Sequence, residues 1–116
     1  MSKGKSYSFF GTLGDIIDII NDLPFEPDIE FLKDWIEFVI EAALGRTKSR
    51  EFFHKLTKLR IRFDPAEKGK PGFEGQNHYH IYNPNMTGKK DRYLDKNGNP
   101  VPKGSDASHI LPKRRR

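Results

Sequence analysis

The chain has 116 residues, 34% hydrophobic and 32% charged, with a net charge of +5 and no cysteine. That length suits one domain, or a compact domain with an added helical piece, and 9 Phe, 4 Tyr and 1 Trp can supply a core. The absence of cysteine excludes disulfide frameworks, zinc fingers and thiol proteases. No apolar run approaches the roughly 18–20 residues that cross a bilayer.

Charge is divided along the chain. Residues 1–45 hold 3 basic and 9 acidic side chains, a balance of −6, whereas residues 46–116 hold 18 and 7, a balance of +11. A half that basic attracts polyanions: nucleic acid, an anionic membrane or an acidic protein. The opening MSKGKSYSFFGTLGD lacks the apolar core of a signal peptide, and cysteine-free composition fits folding in a reducing cytoplasm.

In LGDIIDIINDLPF, Ile16, Ile17, Ile19, Ile20 and Leu23 form an apolar side opposite Asp15, Asp18 and Asp22, which predicts a helix ended by Pro24 and Pro27. PDIEFLKDWIEFVIEAALG predicts a second. Its apolar face is Ile29, Leu32, Trp35, Ile36, Val39, Ile40 and Ala43, with Gly45 as its C-terminal cap. Thr47 is placed to start a third helix with Phe52, Phe53 and Leu56 inward.

At Thr57 the period changes from helical to alternating. Leu59, Ile61 and Phe63 interleave with Lys58, Arg60 and Arg62, a strand with one apolar and one basic face. DPAEKGKPGFEGQ reads as a loop, HYHIY as a second strand and NPNMTGKK as a turn. DRYLD and NPVPK are short strands about an Asn97–Gly98 turn, and Pro100 and Pro102 suit an edge. The fold class expected is α+β: an acidic helical subdomain over residues 1–56, then a small, basic antiparallel sheet over 57–116.

The chemistry concentrates in QNHYHIYNPN. On a strand, His78, His80 and Tyr82 share one side, while Tyr79 and Ile81 share the other and point to the core. Paired imidazoles beside the cations Lys58, Arg60 and Arg62 suit metal-independent RNA cleavage. A neutral histidine takes the proton of a ribose 2′-hydroxyl, a protonated group donates to the leaving 5′-oxygen, and Lys or Arg stabilises the phosphorane. An unperturbed pKa of about 6.5 lets both forms of histidine exist near neutrality. His78 and His80 are therefore the expected acid–base pair, with Lys103 and His109 beside the scissile phosphate. Lys103-Gly104-Ser105 can offer a cation and backbone N–H groups to that phosphate. Lys89, Lys90, Arg92, Lys113 and Arg114 are expected to hold the RNA backbone, and Tyr82 to stack on a base. His54, among Phe52, Phe53 and Leu56, reads as packing. Tyr79 and Tyr93 read as core.

His-x-His is also found where two histidines serve only structure, and it can present two imidazoles to one metal ion if His109 or Asp106 closes on them. No acidic cluster accompanies the pair, and no metal or cofactor is assigned. No nucleophile-elbow pattern surrounds Ser105 or Ser108, so a serine hydrolase is not indicated.

The stretch NHYHIYNPN…KKDRYLDKNGNPVPKGSDASHI resembles the C-terminal toxin domains of bacterial polymorphic and contact-dependent inhibition systems. Within it, Leu94-Asp95-Lys96-Asn97-Gly98-Asn99, Lys103-Gly104 and Asp106 resemble the closing segment of the ribosomal-RNA-cleaving colicin cytotoxic domain. The resemblance spans residues 73–112, about a third of the chain. It implies a twisted antiparallel sheet of the barnase/colicin/RelE type and a metal-independent endoribonuclease acting on ribosomal or transfer RNA. It also implies an acidic cognate immunity protein, a monomer or toxin–immunity heterodimer, and delivery to the target-cell cytoplasm as part of a larger secreted protein. The colicin pattern has Asp, His and Glu on one strand and an Arg near the end. Here the strand carries His78 and His80 without an acidic partner, and His109 stands about where the Arg would be. The expected function is thus a toxin endoribonuclease. The alternatives are a non-catalytic nucleic-acid-binding module, a metal-dependent nuclease, and an interaction module for an oppositely charged partner.

Overall fold

The computed structural model describes residues 6–38 and 48–113. It is an α+β arrangement: among the described residues, one α-helix and an open, six-stranded antiparallel sheet. The helix, α1 (Leu13–Asn21), starts where Thr12 caps it. The Thr12 hydroxyl accepts from the Asp15 N–H, and the Asp15 carboxylate accepts from the Thr12 N–H. That reciprocal pair satisfies two N–H groups that the first helical turn otherwise leaves open. Ile16 and Ile20 are buried on its inner side, and Leu23 follows them into the core.

The strands are β1 (Trp35–Phe38), β2 (Arg50–His54), β3 (Arg60–Asp64), β4 (His78–Tyr82), β5 (Tyr93–Leu94) and β6 (Pro100–Val101), ordered in space as in sequence. The expected strands at HYHIY and around the Asn97–Gly98 turn are present, and the one expected over 57–63 is present as Arg60–Asp64. Asp95 shapes that turn, its carboxylate accepting from the Asn97 and Asn99 N–H groups while Gly98 takes φ +82°. Pro100, which has no N–H to give a ladder, lies on the edge strand β6.

The second and third predicted helices are corrected. Only a 3₁₀ turn at Phe31–Lys33 precedes β1, and Phe52 and Phe53 lie on β2. Ile29, expected on the inner face, is 81% exposed. Val39, Ile40, Ala43, Gly45 and Thr47 lie outside the described residues. The physical reason is in WIEF and REFFH: short runs rich in aromatic and β-branched residues satisfy helical and strand periods alike. Pairing decided between them, with Trp35 opposite His54 and Phe38 opposite Glu51 on one side of β2, and Arg50 opposite Phe63 on the other. Leu56, in the turn after β2, is 80% exposed. Leu56→Lys is therefore expected to move the urea midpoint by less than the equivalent of about 0.5 kcal/mol; a loss of several times that would restore a buried Leu56 and the helical reading.

One hydrophobic cluster joins both halves of the chain: Ile16, Ile20, Leu23, Phe31 and Trp35 pack with Phe52, Leu59, Ile61, Phe63, Tyr79, Ile81, Leu94 and Ile110. The acidic segment thus covers one face of the sheet. The other face carries Arg60, Arg62 and Asp64 of β3 beside His78, His80 and Tyr82 of β4, as strand alternation requires.

Candidate active site

The register of β3 on β4 places Asp64 opposite His78 and Arg62 opposite His80. Residues paired across an antiparallel ladder put their side chains on the same face, so the carboxylate and both imidazoles meet. Asp64 Oδ2 lies 3.1 Å from His78 Nε2 and 3.4 Å from His80 Nε2. Arg62 donates to both oxygens of the same carboxylate at 3.0 Å, and the Ser49 hydroxyl donates to Oδ1 at 2.6 Å.

His109 reaches this group through the backbone. The N–H groups of Tyr79 and Ile110 each donate to the other's carbonyl at 2.8 Å, an antiparallel bridge outside the named strands. In that register His109 falls beside His80, on the histidine face. The ring centroids are 4.7 Å apart for His80 and His109, 5.0 Å for His78 and His109, and 5.1 Å for His78 and His80. Phe73, from the loop after β3, stacks on His109 at 4.2 Å and 10°.

Asp64, Arg62, Ser49 and the three histidines line a cleft of about 310 Å³, which also takes in Lys48, Glu67, Glu74, Tyr93, Lys103 and Gly104. Its lysines and arginine, Lys48, Arg62 and Lys103, face three carboxylates, Asp64, Glu67 and Glu74. These charges balance, so protonation of an imidazole makes the cleft positive.

Burial alone would raise the Asp64 carboxyl. Hydrogen bonds from His78, His80 and Ser49 and the charge of Arg62 outweigh it and hold the group well below the usual carboxylate range. The two histidines diverge. Burial disfavours charge on His78, but Nε2 faces Asp64, Nδ1 faces the Gln76 carbonyl at 3.0 Å, and the balance lies above the ordinary histidine value. For His80 burial wins over its longer contact with Asp64, helped by the charge of Arg62, and the ring is held below that value. Its Nδ1 is buried and has no hydrogen-bond partner.

The sequence-based site is thus partly assembled. His78, His80 and His109 converge, and Lys103 and Arg62 line the same cleft. The histidine side of β4 is polar as expected but not open, since His78 and His80 are both buried. Lys58 is not on the strand. It sits in the β2–β3 turn at φ +68°, its ammonium donating to the Lys55 carbonyl and approaching the Phe53 ring, so it does not border the histidines. Arg60 lies two residues along β3 from Arg62, its guanidinium among the rings of Tyr7, Phe38 and Tyr82. The Tyr82 hydroxyl donates to Glu51. Lys103 and Ser105 do not offer backbone N–H groups to a phosphate, because those donate to the carbonyls of Lys89 and Pro102; the segment contributes the Lys103 side chain. Lys89 and Lys90 are exposed on the 3₁₀ turn Lys89–Asp91, Arg92 is half-buried, and Lys113 pairs with Asp22 at 3.2 Å. Arg114 lies outside the described residues. His54 is structural, with Nδ1 accepting from the Leu56 and Thr57 N–H groups and the ring edge-on to Trp35.

Sequence reasoning missed Asp64, Tyr93 and Phe73. Tyr93 is buried as expected, but on the histidine face, 4.8 Å from His80. Asp64 continues the alternation of Arg60 and Arg62, and that period marks it as a member of the polar face; reading DP as the start of a loop hid it. The acidic partner absent from β4 comes from the adjacent strand.

Compared with protein-family models, curated proteins and solved structures, the chain matches none. No helix among the described residues is long and apolar enough to cross a membrane.

Proposed function

We propose that the chain is a metal-independent endoribonuclease of the bacterial toxin type. The observation that carries this reading is the pair of imidazoles anchored on one carboxylate, with a third imidazole and Lys103 on the same cleft. His80, held below the ordinary histidine value by burial and by the charge of Arg62, takes the proton of the ribose 2′-hydroxyl. The 2′-oxygen attacks the adjacent phosphorus as the bond from phosphorus to the 5′-oxygen breaks. His78, with acceptors at both nitrogens, is the cationic member and gives a proton to that 5′-oxygen. The products are a 2′,3′-cyclic phosphate and a 5′-hydroxyl. Lys103 and His109 flank the phosphate and stabilise its developing charge. Asp64 holds both rings in orientation, the part a carboxylate plays behind a catalytic histidine.

Lys89, Lys90 and Arg92 would guide the RNA backbone, and binding should weaken steeply with salt. The toxin context, an acidic immunity protein and delivery as part of a larger secreted protein rest on the resemblance of residues 73–112. Incubation of the purified chain with total bacterial RNA and intact ribosomes, with and without EDTA, is expected to yield discrete fragments ending in 2′,3′-cyclic phosphate in both conditions. Salt-sensitive binding without cleavage would replace this reading with a non-catalytic nucleic-acid-binding module, and cleavage lost in EDTA would replace it with a metal-dependent nuclease.

A further inference from the structure

We propose that His78, His80 and His109 form a binding site for a divalent transition ion of the zinc class, and that occupation of this site silences cleavage. The silencing rests on the acid–base reading above; the site does not. Each histidine offers a ligand atom, and the three atoms lie within 4.8 Å of one another. Zinc–imidazole bonds of about 2.0–2.1 Å place tetrahedral nitrogens roughly 3.4 Å apart, so small ring rotations close the cluster on an ion.

The surroundings carry the inference further than proximity. A histidine that binds metal through one nitrogen characteristically gives its other N–H to a carboxylate or a carbonyl. All three rings already have such an anchor: Gln76 carbonyl for His78 Nδ1 at 3.0 Å, Asp64 for His80 Nε2 at 3.4 Å, and Asp106 carbonyl for His109 Nδ1 at 3.2 Å. The independent observation is His80 Nδ1, buried and without a hydrogen-bond partner. Such an atom is uncommon in a folded protein and calls for a reason; a metal ion would supply its missing partner. Three imidazoles and no thiolate select zinc, copper(II), nickel or cobalt over calcium or magnesium. Three protein ligands leave a coordination position facing the cleft; His78 Nε2 exchanges its contact with Asp64 for the ion, and Asp64, behind the His80 ring and beside that of His78, offsets part of the ion's charge. An ion on these nitrogens occupies the lone pairs that proton transfer needs, so the bound form is inactive.

The test uses the full chain at neutral pH, with zinc binding measured by calorimetry and cobalt(II) as a spectroscopic probe. Expected are one ion per chain, a tetrahedral cobalt spectrum, and RNA cleavage that falls with zinc and returns with EDTA. His109→Ala should weaken binding about tenfold or more, whereas His54→Gln, outside the cluster, should not. His109 is only half-buried, and a thermal melt establishes that its variant folds. Absence of stoichiometric binding, or binding indifferent to His109→Ala, overturns the site. Zinc-bound protein that cleaves as fast as or faster than the free protein overturns the silencing. A chain that binds zinc through His109 but never cleaves RNA upholds the site and overturns the acid–base reading instead.

Discussion

Replacing His80 with alanine is expected to lower RNA cleavage by roughly 10²–10⁴-fold, the usual worth of a positioned general base or acid. The reason is local. Burial and the charge of Arg62 hold the His80 ring below the ordinary histidine value, and its Nδ1 is left without a partner in the protein. Its neighbours in the cleft, His78 and His109, cannot replace it as the base, since the former is held above the ordinary histidine value and serves as the proton donor and the latter sits on the Phe73 ring. His80→Gln retains polarity and much of the volume and should lose comparable activity, which separates chemistry from packing. Single-turnover cleavage rates with urea melts of both variants provide the check. Cleavage kept within about tenfold in variants that fold would remove His80 from the chemistry.

Asp64→Asn is expected to cost roughly 2–4 kcal/mol of stability at pH 7 and most of the cleavage. Removing one partner from a buried ion pair typically costs about 3–5 kcal/mol. The lower range applies because the Asp64 side chain retains 18% exposure and Arg62 29%. An amide has one acceptor oxygen where the carboxylate has two, and Asp64 uses both, on Arg62, His78, His80 and Ser49. Its pH dependence distinguishes this group from a generic polar contact. The folded carboxyl titrates well below its unfolded value of about 3.8, so its contribution is fully present above that value. Below about pH 4 the unfolded chain takes up a proton that the folded chain refuses, and the contribution drains away as pH falls. Urea melts should therefore show a gap between wild type and Asp64→Asn that is wide at pH 7 and narrows on acidification below pH 4. Equal stability at pH 7 would dismiss Asp64 as the anchor of the site.

Much of the histidine face was legible from alternation. A strand period of two puts His78, His80 and Tyr82 on one side of β4 and Tyr79 and Ile81 on the other, and the burial of Tyr79 and Ile81 in the core agrees. The same rule, carried one residue further along β3, reaches Asp64; the proline after it drew the boundary too early. For Trp35–Phe38 and Arg50–His54 the local signal was ambiguous, because dense apolar segments fit a helix as well as a strand. Only hydrogen-bonded neighbours on both sides of β2 resolve that ambiguity.

By itself the sequence determined the α+β class, the helix α1, the inward and outward sides of β3 and β4, and the segregation of charge. All of these follow from periodicities and side-chain chemistry within a few residues. The tertiary structure alone decided which carboxylate serves the histidines and whether His109 joins them. Strand register sets the first, opposing Asp64 to His78, and the mutual hydrogen bonds of Tyr79 and Ile110 set the second. Both are pairings between distant residues, and no local pattern encodes a register.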